Sequence, residues 1–196
     1  MGPPELLDPS VDAALNDTAL DDATLVARAR GGDLRAYEAL VQRYQGPIYR
    51  LALRILASRA DAEDVVQDAF LTAWRRLDQL ERDEAFVGWL YRTATNRALN
   101  VIRTRKPVAE ADLDGQESTS AAGRPDRAAE TNAQMAALTA ALGTLTPEQR
   151  ACWLLREVHG RSYEEIAVAV GTTSTAVRGR IARARAQLAE VMAPWR

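Results

Sequence analysis

Apolar residues recur along most of the chain at three- and four-residue steps, the period of helices with one buried face. Between Asp22 and Leu56, the positions Leu40, Val41, Tyr44, Ile48, Leu51, Ala52 and Ile55 keep that spacing across Gly46 and Pro47, so two helices or one kinked helix are expected there. In "RADAEDVVQDAFLTAWRRLDQL" the residues Ala62, Val65, Val66, Ala69, Phe70, Ala73, Trp74 and Leu77 form one broad helical face, with Asp61 as the expected N-cap and Asp64 at the third helical position. The next segment, "GWLYRTATNRALNVIRTRK", anchors on Trp89, Leu90, Ala94, Ala98 and Val101. A last apolar pattern runs from about residue 134 to 190 and predicts four shorter helices, broken at Gly143–Pro147, Gly160 and Gly171–Thr173. No strand period appears. The expected fold class is all-α: two helical domains joined by a flexible linker, the second containing a helix-turn-helix.

Composition adds boundaries to this picture. Residues 1–21 hold Pro, Asp and Glu but no Lys or Arg, and read as a flexible acidic extension. Residues 107–132 are small, polar and acidic with little hydrophobic period, and read as the interdomain linker. That leaves helical domains at 22–106 and 133–196. With 47% hydrophobic and 27% charged residues among 196, the chain has an ordinary globular balance. One Cys excludes an internal disulfide and suits a reducing cytoplasm, and the start "MGPPELLDPS" has no signal-peptide pattern, so a cytoplasmic protein without membrane insertion is expected. Cys152 in "ACWLL" reads as a buried small hydrophobe, and His159 as a helix end or turn. No metal cluster, phosphate-binding loop or cofactor motif accompanies them, so neither a cofactor nor catalysis is expected.

Charge is informative only locally. The net charge is −2, yet no acidic residue occurs from Gly88 to Lys106, where Arg92, Asn96, Arg97 and Arg103 share a polar field. In "SYEEIAVAVGTTSTAVRGRIARARAQL", Ala167, Gly171 and Val177 have the small, turn and apolar order of a helix-turn-helix. Val177, Ile181, Ala184 and Leu188 then hold the second helix down while Arg178, Arg180, Arg183 and Arg185 occupy its other sides. A basic second helix can enter a DNA major groove, with Ser174 and Thr175 at its leading end, although Thr173 or Ser174 can equally be its cap.

Taken in order, "DAEDVVQDAFLTAWRRLDQL", "FVGWLYRTATNRALNVIRTRK" and "LTPEQRACWLLREVHGRSYEEIAVAVGTTSTAVRGRIARARAQL" resemble sigma domains 2 and 4 of the extracytoplasmic-function group of bacterial RNA polymerase sigma factors. The resemblance implies a non-enzymatic initiation factor that joins core polymerase, selects promoters through −10 and −35 elements and assists their opening. By the same resemblance, Asp64, Gln67 and Asp68 dock on the polymerase, while Phe70 and Trp74 support that helix from within. The connection Leu80–Phe86 captures an unstacked base, and Arg92, Asn96, Arg97 and Arg103 hold the −10 DNA. Ser174, Thr175, Arg178, Arg180 and Arg183 read the −35 duplex. The linker is implied to thread across polymerase, a separate anti-sigma factor is an implied partner, and no C-terminal sensing module is expected after residue 190. Thr175 and Gly179 depart from the family's usual Gly and Ser. The competing function is a stand-alone helix-turn-helix transcriptional regulator; a protein that turns its arginines to an acidic partner ranks third.

Overall fold

The computed structural model describes residues 20–105 and 136–193, all of them helical or connecting. The acidic extension up to residue 19, Lys106 and the linker 107–132 lie outside the described residues.

Helix α1 (Asp22–Arg30) begins where the Asp21 carboxylate accepts from the Thr24 amide, and it ends at Gly31. Helix α2 (Leu34–Leu56) starts on Asp33, which caps both Arg35 and Ala36, and runs through Pro47. Of the two alternatives, one helix spans Gly46 and Pro47, and the chain breaks upstream, where Gly31 and Gly32, the latter at φ 93°, turn it. The buried row Ala36, Leu40, Ile48, Leu51, Ile55 continues across the proline and outweighs its missing N–H.

Helix α3 (Arg59–Arg75) starts three residues earlier than the acidic pattern suggested. Ser58, not Asp61, is its N-cap, and its hydroxyl accepts from the Asp61 amide. A serine there satisfies an exposed N–H of the first turn and leaves Asp61 within that turn, its carboxylate available elsewhere. Two 3-10 turns, Leu77–Gln79 and Asp83–Ala85, lead into α4 (Phe86–Thr104). Helices α2, α3 and α4 pack together around Phe86, Leu90, Leu51, Ile55, Val65 and Leu99.

The second unit opens with α5, helical over 136–143. Helix α6 (Pro147–Trp153) carries a full capping box between Thr146 and Gln149 and continues into a π-helical turn, Leu154–Val158. Helix α7 (Tyr163–Val170) has a second capping box, Ser162 with Glu165, and stops at Gly171 in the left-handed region, φ 66°. Thr173 then caps α8 (Ser174–Val191). The turn between α7 and α8 has the residues the sequence assigned to it. Cys152, Leu154, Leu155, Ile166, Val177, Ile181 and Leu188 are buried among these helices.

The two units touch. Helix α7 packs on α4, and α6 on both α2 and α4. Arg150 seals this contact: its guanidinium donates to the carbonyls of Leu142 (2.7 Å), Gly143 (3.1 Å) and Leu145 (3.2 Å) in its own unit and of Ile55 (3.0 Å) at the end of α2. These carbonyls lie at the end of α2 and at the end of α5 with the turn that follows it, where backbone acceptors are left over and a cation suits them. Beside it the Tyr91 hydroxyl lies 3.1 Å from His159 Nδ1, and the Arg161 guanidinium sits 4.9 Å from the Tyr91 ring centre. Burial, with Arg54, Arg161 and Arg50 nearby, pushes the His159 pKa down to about 4. No helix among the described residues is long and apolar enough to cross a membrane.

Candidate polymerase and nucleic-acid interfaces

Helix α4 divides its residues cleanly by period. Phe86, Leu90, Tyr91, Ala94, Thr95, Ala98 and Leu99 are buried, while Arg92, Asn96, Asn100 and Arg103 recur on the opposite face and are exposed. That polar stripe faces the Asp68, Thr72, Arg76 row of α3, one residue per turn, and the two enclose a cleft of about 670 Å³. Four of its lining residues are arginines (Arg76, Arg92, Arg97, Arg103), Asn96 and Asn100 offer amide donors and acceptors, and Trp89 is a half-buried wall. The cleft combines the groups that hold phosphate, read a base edge and offer a stacking plane. All four sequence-assigned residues of this region, Arg92, Asn96, Arg97 and Arg103, line it.

Arg76 was missed by sequence reasoning, because it lies on the polar side at the end of α3 and its place in the cleft depends on how α3 crosses α4. Its spacing of four from Thr72 was the available signal. Arg30 was also missed. It donates to the Leu80 carbonyl (3.0 Å) and pairs with Asp83 (2.7 Å), pinning the loop from Leu80 to Phe86 against α1.

Asp64, Gln67 and Asp68 come together in a second, smaller groove of about 310 Å³, shared with Asp61, Val65, Val101 and Arg97. Asp61 pairs with Arg105, and Asp68 with Arg97. Asp64 and Gln67 are exposed along its edge. Phe70 is buried behind this face, but Trp74 is 38% exposed and rests on Tyr37, ring centres 4.8 Å apart. The expected internal role of Trp74 is thus met only on one side, because α2 covers a single edge of the indole.

On α8 the arginines have different environments. Thr175, Arg178 and Arg183 are exposed, and Ser174 is half-buried at the helix start, beside the Thr173 cap. Arg178 lies 5.1 Å from the Tyr163 ring centre, on which Arg156 also sits at 4.7 Å. Arg185 is held by Glu157 at 2.6 Å. Arg180 turns inward: its Nη1 has no solvent access, and its charge sits near the Cys152 thiol, whose pKa burial raises and Arg180 partly lowers. Gly179 stands beside Arg183, so a Cβ there would meet that guanidinium at 3.6 Å, an ordinary contact.

The architecture is that of a helical DNA-reading protein with two separate polar surfaces, one on a helix pair and one on a helix-turn-helix. Residues 40–108 match the model of sigma-70 region 2 and residues 135–188 that of sigma-70 region 4. The chain belongs to the sigma-70 family of RNA polymerase sigma factors, in its ECF group. It is 32% identical to the RNA polymerase sigma factor NccH of Alcaligenes xylosoxydans xylosoxydans, over 91% of this chain and 97% of that protein. It is 36% identical to the RNA polymerase sigma-H factor of Pseudomonas aeruginosa, over 90% of this chain and 96% of that one. Identity to the ECF RNA polymerase sigma-E factor of Escherichia coli K12 is also 36%, covering 85% and 91%. Among solved structures, CnrH in complex with the cytosolic domain of CnrY superposes with a TM-score of 0.66 at 29% identity, over 88% of this chain and 97% of that one. The sigma factor RpoE of Bartonella quintana, solved with the anti-sigma factor NepR, shares the fold at TM-score 0.64 and 21% identity, over 80% and 96%.

Proposed function

We propose that the chain joins bacterial core RNA polymerase in the cytoplasm and selects promoters, with residues 22–106 acting as domain 2 and residues 133–196 as domain 4. One observation carries this reading beyond DNA binding in general: an acidic groove and an arginine-rich cleft lie side by side on the α3–α4 pair, apart from the helix-turn-helix. Asp64, Gln67 and Asp68 dock on the polymerase. Arg92, Asn96, Arg97 and Arg103 hold the −10 strand, and Ser174, Thr175, Arg178 and Arg183 read the −35 duplex.

The cleft suits a separated strand better than a duplex, since Asn96, Asn100 and Trp89 need base edges and faces that pairing and stacking conceal. Part of the binding free energy therefore offsets unpairing, and the open promoter is favoured without any covalent step by this protein. Nucleotide transfer belongs to the polymerase. A separate anti-sigma protein is the proposed regulator, supported by the capture of the related CnrH with the cytosolic domain of CnrY.

The test is reconstitution with bacterial core polymerase on a promoter library, reading start-site-specific transcripts by sequencing. Initiation at a common pair of upstream elements is expected. Tight, sequence-specific duplex binding without core, and no initiation with it, would establish a stand-alone helix-turn-helix regulator instead.

A further inference from the structure

Two residues line both the acidic groove and the basic cleft, Asp68 and Arg97, and they are bonded to each other. Asp61 and Arg105 form a parallel pair along the same seam: seven residues along α3 correspond to eight back along α4, so the helices run antiparallel and present acid to base at two levels. Each side chain of the Asp68–Arg97 pair is about half exposed, so neither group is committed to the core. A carboxylate held by a guanidinium attracts a cationic partner less, and that guanidinium attracts a phosphate less.

We propose that Asp68–Arg97 is an electrostatic relay between the two surfaces, in which a cationic polymerase surface that takes Asp68 frees Arg97 for the phosphates of single-stranded DNA. This rests on the sigma-factor reading given above and adds to it a regulation of its DNA site. By linkage the effect is reciprocal: a phosphate on Arg97 frees Asp68 for the polymerase by the same factor. Exposed ion pairs are weak, so the coupling amounts to about 2- to 5-fold in affinity and fades as salt rises. The free protein thereby holds its DNA site partly neutralised, and assembly with polymerase removes that restraint.

Full-length Asp68→Asn, Arg97→Gln, the double variant and Glu63→Gln are titrated with a fluorescent oligothymidylate at low salt, and separately with core polymerase. Glu63 is exposed on the same helix, and its neutralisation changes net charge equally without touching the pair. Asp68→Asn is expected to bind the oligonucleotide about 2- to 5-fold more tightly than Glu63→Gln, a gain that vanishes in the Arg97→Gln background. Arg97→Gln is expected to bind core more tightly by a similar factor, but not when Asp68 is also Asn. A gain for Asp68→Asn no larger than that for Glu63→Gln, or one that survives without Arg97, overturns the relay. If the wild-type chain fails to initiate transcription with core, the underlying reading falls; if it initiates and only the coupling is absent, the relay alone falls.

Discussion

At the residue scale, like residues in one helix have unlike tasks. Arg180 and Arg183 are three apart on α8 and equally prominent in sequence, but Arg183 is exposed while Arg180 sends its Nη1 into the space beside Cys152. Arg183→Ala is expected to weaken −35 duplex binding by the holoenzyme about 5- to 10-fold and to lower its salt dependence by about one phosphate, as footprint titration at several salt concentrations would show. Arg180→Ala is expected instead to destabilise the folded chain by about 1–2 kcal/mol, read by urea unfolding, since it removes the packing of a long stem. Equal loss of DNA binding in both variants, with unchanged stability, would return Arg180 to the DNA surface.

At the scale of elements, helix ends set where the surfaces lie. Ala57 closes α2 in the left-handed region at φ 52°, where a Cβ is unfavourable, whereas Gly171 closes α7 at φ 66° with no such penalty. Ala57→Gly is therefore expected to raise stability by about 0.5–1 kcal/mol, and Gly171→Ala to lower it by about 1 kcal/mol. Midpoint shifts of opposite sign, with unchanged denaturant slopes, are the readout. The turn at Gly171 was legible in sequence because glycine signals its own backbone conformation. The turn at Ala57 was not, since alanine ordinarily favours continuing a helix and only packing stops it. The same limit misplaced the start of α3, where Asp61, now in the first turn, looked like the cap and Ser58 satisfied the backbone first.

At the scale of the whole molecule, Arg150 and His159 decide how the units meet. Arg150→Met is expected to leave helix-end carbonyls on both sides without their cation, costing about 2–4 kcal/mol and enlarging the radius of gyration in small-angle scattering. His159 adds a dependence on pH. Its folded pKa, about 4, lies below the ordinary 6.5, so its contribution is fully present above pH 6.5 and is lost as pH falls towards 4. Allowing for solvent at the half-buried ring, on the order of 1–2 kcal/mol is at stake. His159→Asn is expected to flatten the fall in stability between pH 6.5 and 4, compared with wild type in matched unfolding titrations. An identical slope would show that the acid sensitivity in this window does not come from His159.

The sequence by itself determined the helical class, the positive stripe of α4, the acidic turns of α3 and the helix-turn-helix, because each follows from spacing within one segment or from one residue's backbone preference. It also carried the family resemblance, through the order of those segments. Only the tertiary structure decided that Arg97 serves two grooves, that Arg76 completes the cleft, that Arg30 anchors its loop, and that Arg180 buries its Nη1. Those outcomes depend on how helices cross and which side chain reaches across a seam, a matter of angles and distances between segments that no period along one segment encodes.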